Sequence, residues 1–377
     1  MTFRHSSFPL VFLLVLFAAA PSRAQTNPTP SPTPKPEEQE PIRVFTEEVR
    51  LAVAATDAGG HYDALDAEDV MVIEDGEPQQ IRSVRHLPTN VLLLLDVGNQ
   101  LGLKDTNVTR QVAMRLVAGI ADGNRIAVMQ FSTRPDLLQN WTTDRAAIAK
   151  ALKSKLFSGR TSRLGEAIAA AAQLFKDTPA GTRHLVLITD GVSESGGKTT
   201  TARAMRELNS AQISVHILSY TVLARLALHG QNKVVRGGDG VQRDANPASN
   251  PMANGDPTLP PGSTRTPSFK LGSIDTDFAM RRKRKEYERA TQDSETLLGE
   301  MAQESGGQIF LPDSAETLLS QAEKISRDIG SQYVITYRPK RPLAEAKPGE
   351  YRKVEVASRR VGLYLRSRRG YFVPDAK

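Results

Sequence analysis

The run Val91 to Leu95 is apolar at every position, and apolar stretches recur at Arg125–Phe131, His184–Thr189 and Ser214–Tyr220. A strand apolar on both faces must be covered on both faces. Segments of helical spacing separate these stretches, at Val112–Ile120, Arg145–Leu156, Leu164–Phe175 and Thr201–Asn209. The alternation predicts an α/β fold, a doubly wound, mainly parallel sheet with helices on both faces. Asp136–Thr143 reads as an antiparallel edge strand, and Gln308–Leu311 and Ala315–Ile329 supply a last strand and helix.

The flanks follow a different period. From Arg43 to Leu87 apolar residues alternate in the strand manner, around turns at Asp57-Ala58-Gly59-Gly60 and Glu74-Asp75-Gly76, which predicts two hairpins. Gln332–Tyr337, Tyr351–Ala357 and Val361–Arg366 alternate in the same way. The expected organisation is an α/β domain over 89–329, inserted in a small β sandwich whose first half is 42–88 and second half 330–377. Within it, 222–280 collects Gly, Pro, Asn and Ser and reads as a disordered insertion.

The amino end looks like an export signal. Arg4 supplies positive charge, Phe8 to Ala20 a short apolar run, and Ser22-Arg23-Ala24 a small-x-small cleavage site, so 1–24 reads as a signal peptide. The run is shorter than the roughly 20 residues of a spanning helix, and no stable membrane span is expected after cleavage. Residues 25–41 form a stiff Pro-rich linker. The mature protein is therefore expected to be exported, as a periplasmic or secreted protein.

Several chemistries are set aside. There is no cysteine, which removes disulfides, thiol catalysis and Cys-based zinc sites. Neither Gly-x-Ser-x-Gly nor His-Glu-x-x-His occurs, and the scattered histidines His184 and His216 fall in buried strands, where they read as core residues. GVSESGGKT at 191–199 resembles a phosphate loop, but Gly191 stands six positions before Gly197 where the motif needs five. Arg281, Arg282, Lys283, Arg284 and Lys285 form a cationic run whose expected role is a solvated face or a weak polyanion contact. Export and sparse aromatics argue against nucleic acid as a partner.

VLLLLDVGNQ, SGRTSRLGEAI and HLVLITDGVSE follow one another at the carboxyl ends of predicted strands, where open α/β sheets place ligands. Together they resemble the three loops of a von Willebrand factor A domain, whose first loop reads Asp-x-Ser-x-Ser. The segment LAVAATDAGGHYDALDAEDVMVIEDGEPQQI and the closing RVGLYLRSRRGYF are similar to a narrower family of bacterial von Willebrand factor A-related proteins, best represented in Acidobacteria. The resemblance implies a protein–protein recognition or adhesion module, not an enzyme. Its metal-ion-dependent adhesion site would use Mg²⁺ or Mn²⁺ to capture an acidic side chain of a protein partner. By position, Asp96, Thr161, Asp190 and Gln100 are the metal candidates, and Asp96, Gly98, Gln100, Thr161 and Asp190 the partner-binding set. Gly98 and Gln100 stand where the family has serines, so one hydroxyl ligand is absent and the other becomes a longer amide, which predicts weakened affinity. The alternatives are a metal-independent structural scaffold and, behind it, a metal-dependent hydrolase, whose usual second carboxylate is here Gly98.

Overall fold

The structure is a computed structural model describing residues 48–99, 105–178, 181–193, 200–236, 278–347 and 349–373. The expected signal peptide, the Pro-rich linker, Gln100 and Gly197-Lys198-Thr199 lie outside the described residues. Strand β1 (Val49–Thr56) precedes β2 (Val70–Glu74) and β3 (Glu77–Arg85). Asp75 (φ 48) and Gly76 (φ 87) both sit in the left-handed region, which suits the two-residue turn of the β2–β3 hairpin.

The α/β part follows in order: β4 (Thr89–Asp96), α1 (Thr106–Gly119), β5 (Arg125–Phe131), β6 (Pro135–Thr142), α2 (Arg145–Ser154), α3 (Leu164–Lys176), β7 (Thr182–Thr189) and α4 (Thr201–Ser210). It continues through β8 (Ser214–Ser219), α5 (Thr221–Arg236), α6 (Phe278–Ser305), β9 (Ile309–Phe310) and α7 (Ala315–Gly330). Its sheet runs β6-β5-β4-β7-β8-β9, parallel throughout except for the antiparallel edge strand β6. Every residue of β4 is buried, and the strand divides its side chains between two cores. Val91, Leu93 and Leu95 face α1, α2 and α7, while Leu92 and Leu94 face α3, α4 and α6. This two-sided burial is the physical meaning of an uninterrupted apolar run.

The chain then returns to the first layer with β10 (Tyr333–Arg338), β11 (Tyr351–Ser358), β12 (Tyr364–Ser367) and β13 (Gly370–Phe372). The seven strands outside the α/β part make one antiparallel sheet, ordered β12-β1-β10-β3-β2-β11-β13. It curls so that β11 meets β12, over a shared core that includes Leu51, Val72, Ile335 and Val354. Two expectations need correction. β1 and β2 are not hairpin partners, because β10 and β3 lie between them; the turn after β1 closes only locally, through the Thr56–Tyr62 bridge. The disordered insertion expected over 222–280 does not hold for 222–236, which continue α5, or for 278–280, where α6 begins, while 237–277 lie outside the described residues; the apolar face of α5 supplied enough burial to order it, with Ala224 and Leu228 buried.

A charge sits in the core of the curled sheet and is fully partnered. Glu74 accepts from Arg352 Nη1 (2.9 Å), Tyr337 (2.6 Å) and Tyr371 (3.0 Å), and Arg352 also donates to the carbonyls of Arg341 and Pro342. Such a pair persists only when most of its hydrogen-bonding capacity is met; Arg352 Nε alone makes no hydrogen bond and lies 3.6 Å from Glu350. The closing Gly-Tyr of the sequence therefore supplies Tyr371 as an internal donor.

A second buried network joins the two layers. His184 on β7 and His216 on β8 stand 3.2 Å apart, and His216 Nδ1 lies 3.3 Å from Asp328 of α7. Asp328 accepts hydrogen bonds from Arg366 on β12 (2.5 Å), Tyr62 (3.1 Å) and Gln332 (3.3 Å). Burial, reinforced by Arg366, lowers the His216 pKa to about 3; burial, then His216, holds His184 well below its ordinary value. Both imidazoles are thus neutral in the folded protein. The unfolded chain takes up protons near pH 6.5 where the folded one does not, so stability falls as pH drops below that value. We expect each histidine to contribute a loss of up to about 1.4 kcal/mol per pH unit. Urea midpoints at pH 7.5 and 5 check this. An equal fall in the His184→Asn/His216→Asn variant would trace the loss to other groups.

Candidate functional site

The carboxyl ends of β4, β7 and β8 bring together Asp96, Thr189-Asp190 and Tyr220. Asp96 is fully buried, and its carboxylate is surrounded by donors. Oδ1 accepts from the Gly98 N–H (3.0 Å) and the Ser162 hydroxyl (2.5 Å), and Oδ2 from the Thr189 hydroxyl (2.7 Å). Asp190, 2% exposed, accepts from the Val192 N–H at Oδ1 (3.1 Å) and from the Tyr287 hydroxyl at Oδ2. Of the expected site residues, Asp96, Gly98, Thr161 and Asp190 come to this one edge.

The backbone around Gly98 is packed against the loop that follows α2. Gly98 bridges Gly159 in parallel, with Asn99 N–H donating to Gly159 O and Gly159 N–H to Val97 O. A Cβ at Gly98 would come within 2.1 Å of Ser162 Oγ and 2.5 Å of the Thr161 carbonyl oxygen. The missing serine is therefore a matter of space as well as chemistry. The hydroxyl on Asp96 comes instead from Ser162, in the second loop.

Sequence reasoning passed over three side chains of this network. Ser162 and Thr189 were visible, since they are neighbours of Thr161 and Asp190. Tyr287 carries no local signal. It lies in the charged helix α6, beyond residues 237–277, and is brought in by the packing of α6 on α5 and on β8. Burial, then the Asp190 carboxylate, raises its pKa far above the ordinary phenol range, so the hydroxyl keeps its proton and donates. The cationic run Arg281–Lys285 occupies the exposed opening turns of the same helix, where Arg282 lies 3.5 Å from Glu286.

The arrangement does not fit a divalent cation in the expected way. A hard cation collects about six to eight oxygen ligands. Here the carboxylates of Asp96 and Asp190 accept hydrogen from hydroxyls and backbone amides, and the first-loop hydroxyl has no room. Among the described residues no group of three or more His, Asp or Glu is placed to hold a metal ion. Thr161 Oγ1 is the exception in character: it is buried and has no hydrogen-bond partner. Beside Asp190 a cleft of about 210 Å³ opens, lined by Asp105, Val108, Thr109, Tyr220 and Leu223 among others.

Residues 90–234 match the family model of the von Willebrand factor type A domain. No curated protein matches the chain. Among solved structures, an aerotolerance-related membrane protein from Bacteroides fragilis is similar at 19% identity, over 64% of this chain and 98% of that one, with a TM-score of 0.38. A von Willebrand factor type A structure from Catenulispora acidiphila is similar at 11% identity, over 86% and 73%, with a TM-score of 0.40. Proximal thread matrix protein 1 of the mussel byssus, with a zinc-occupied MIDAS motif, is similar at 16% identity, over 36% and 38%, with a TM-score of 0.32.

The crowding at Gly98 generates a stability prediction. Gly98→Ala is expected to cost about 1–3 kcal/mol, the usual range for overpacking, measured by urea unfolding. Adding Ser162→Ala should not restore stability, because the Thr161 carbonyl stays in place and buried Asp96 loses a hydroxyl donor. A neutral Gly98→Ala would mean that the two loops separate easily.

Proposed function

Starting from a chain that carries a von Willebrand factor type A domain over residues 90–234, we propose that it is an exported recognition module. It holds a protein partner at the carboxyl edge of its parallel sheet, without a divalent cation. The contact surface is built around Asp96, Gly98, Gln100, Thr161 and Asp190, with the adjoining cleft to receive a partner side chain. The observation that carries this reading is the saturation of Asp96 and Asp190 by protein donors. Carboxylates fixed in this way hold three loops in register. They keep the surface pre-organised, which lowers the ordering cost of binding.

We assign the site no catalytic step. A general base must reach a substrate proton, whereas Asp96 is fully enclosed. Among the described residues no helix is long and apolar enough to cross a membrane; the placement outside the cytoplasm, in the periplasm or beyond the cell, rests on the signal-like pattern of residues 1–24.

Site-specific photo-crosslinking in the source cells tests the proposal. A photoreactive residue at Val108 or Leu223, both lining the cleft, is expected to give one discrete protein adduct that survives EDTA and disappears with Asp190→Asn. The same residue at Val361, fully exposed on the other layer, should give none. An adduct lost in EDTA, or equal labelling from all three positions, overturns the reading.

A further inference from the structure

Helix α6 lies flush on the Asp190 loop. Gly191 takes φ +69, and a Cβ there would come within 2.8 Å of Ser294 Cβ and 2.9 Å of Leu298 Cδ1. Helix α5 packs against the same part of α6: Ala224 and Leu228 cluster with Tyr287 and Val192, and Arg225 pairs with Glu295 at 2.6 Å. That ion pair is largely shielded, with side chains only 20% and 24% exposed. Together these contacts fix where Tyr287 points. Its ring is 8% exposed, and its hydroxyl reaches Asp190 Oδ2.

A phenol proton and a divalent cation compete for the same carboxylate lone pair. A cation also needs its oxygen ligands free of donated protons, since a hydrogen bond places positive hydrogen where the metal would sit. Tyr287 is neutral and keeps its proton, so it adds no charge that would draw a cation in. One buried oxygen nearby stands in contrast, the partnerless Thr161 Oγ1, whose backbone carbonyl closes on Gly98. The loops thus retain an idle hydroxyl and Asp190 with a tyrosine seated on it, while Asp96 is closed by its own three donors.

We propose that Tyr287 is an internal ligand of this site, holding Asp190 in a hydrogen-bonded state that excludes a divalent cation. Removing the phenol oxygen opens Asp190 Oδ2 to a cation beside the Thr161 hydroxyl, while Asp96 stays closed by Gly98, Ser162 and Thr189. The inference rests on the metal-independent reading above and names the side chain responsible for it.

Calorimetric titration of Mn²⁺ into chelator-treated protein tests it. Wild type is expected to show no saturable heat up to millimolar metal. Tyr287→Phe keeps the ring and its packing while deleting the oxygen, and is expected to bind one Mn²⁺ at least tenfold more tightly than wild type. Asp190→Asn in that background should abolish the gain. Tyr287→Leu provides a second removal of the hydroxyl, with a larger cavity, and circular dichroism with urea midpoints verifies the fold of each variant. Equal binding by wild type and Tyr287→Phe overturns the proposal and the metal-independent reading with it. Silence from both hydroxyl-deleted variants, folded as wild type, overturns only the assignment of Tyr287 and leaves recognition without metal standing.

Discussion

Asp328 is the carboxylate on which the two layers of this protein meet. It lies on α7, inside the α/β part, yet it is approached by Arg366 and Tyr62 from the curled sheet and by His216 from β8. A buried carboxylate without partners would carry a desolvation cost of several kcal/mol. Its partners come from elements that are distant in sequence, so the network is satisfied only when α7, β8, β12 and the turn after β1 are all in place. Hydrophobic burial drives each layer to form, but burial is non-directional. The directional demand of Asp328 sets how one layer is placed on the other.

The same logic recurs at the top of the sheet with a different result. Asp96 ends a strand buried along its whole length and is itself fully buried, so its carboxylate must be satisfied by protein donors. It takes Ser162 from one loop and Thr189 from the next strand, which ties three chain segments to one side chain. Asp190 is treated similarly by Val192 and Tyr287. Loops held in this way are fixed in register by the protein itself, because both carboxylates accept from its own donors.

Much of the architecture was legible in the sequence because it follows from period and burial. The uninterrupted run at Val91–Leu95 can be satisfied only by cover on both faces, and the polar Asp136–Thr143 segment suits only an edge. What remained hidden depended on contacts between distant segments. The spatial order of the outer strands, with β10 and β3 between β1 and β2, is set by pairing partners more than 200 residues apart, and no local turn encodes it. The order in α5 was masked by the Gly- and Pro-rich composition just beyond it.

The candidate site divides along the same line. Asp96, Thr161 and Asp190 were readable because each ends a strand or follows a short loop in the expected sequence. The loss of serine at position 98 was also readable, but its meaning was not. Read alone, Gly98 suggests a ligand replaced by water. In the folded chain its missing side chain is what lets two loops close, and the hydroxyl is supplied from Ser162 instead. A substitution in a motif therefore has to be judged with the volume around it: where a neighbour fills the space, the site has been rebuilt rather than degraded. Tyr287 extends that rebuilding to the other carboxylate, from a helix that no local pattern connects to the site.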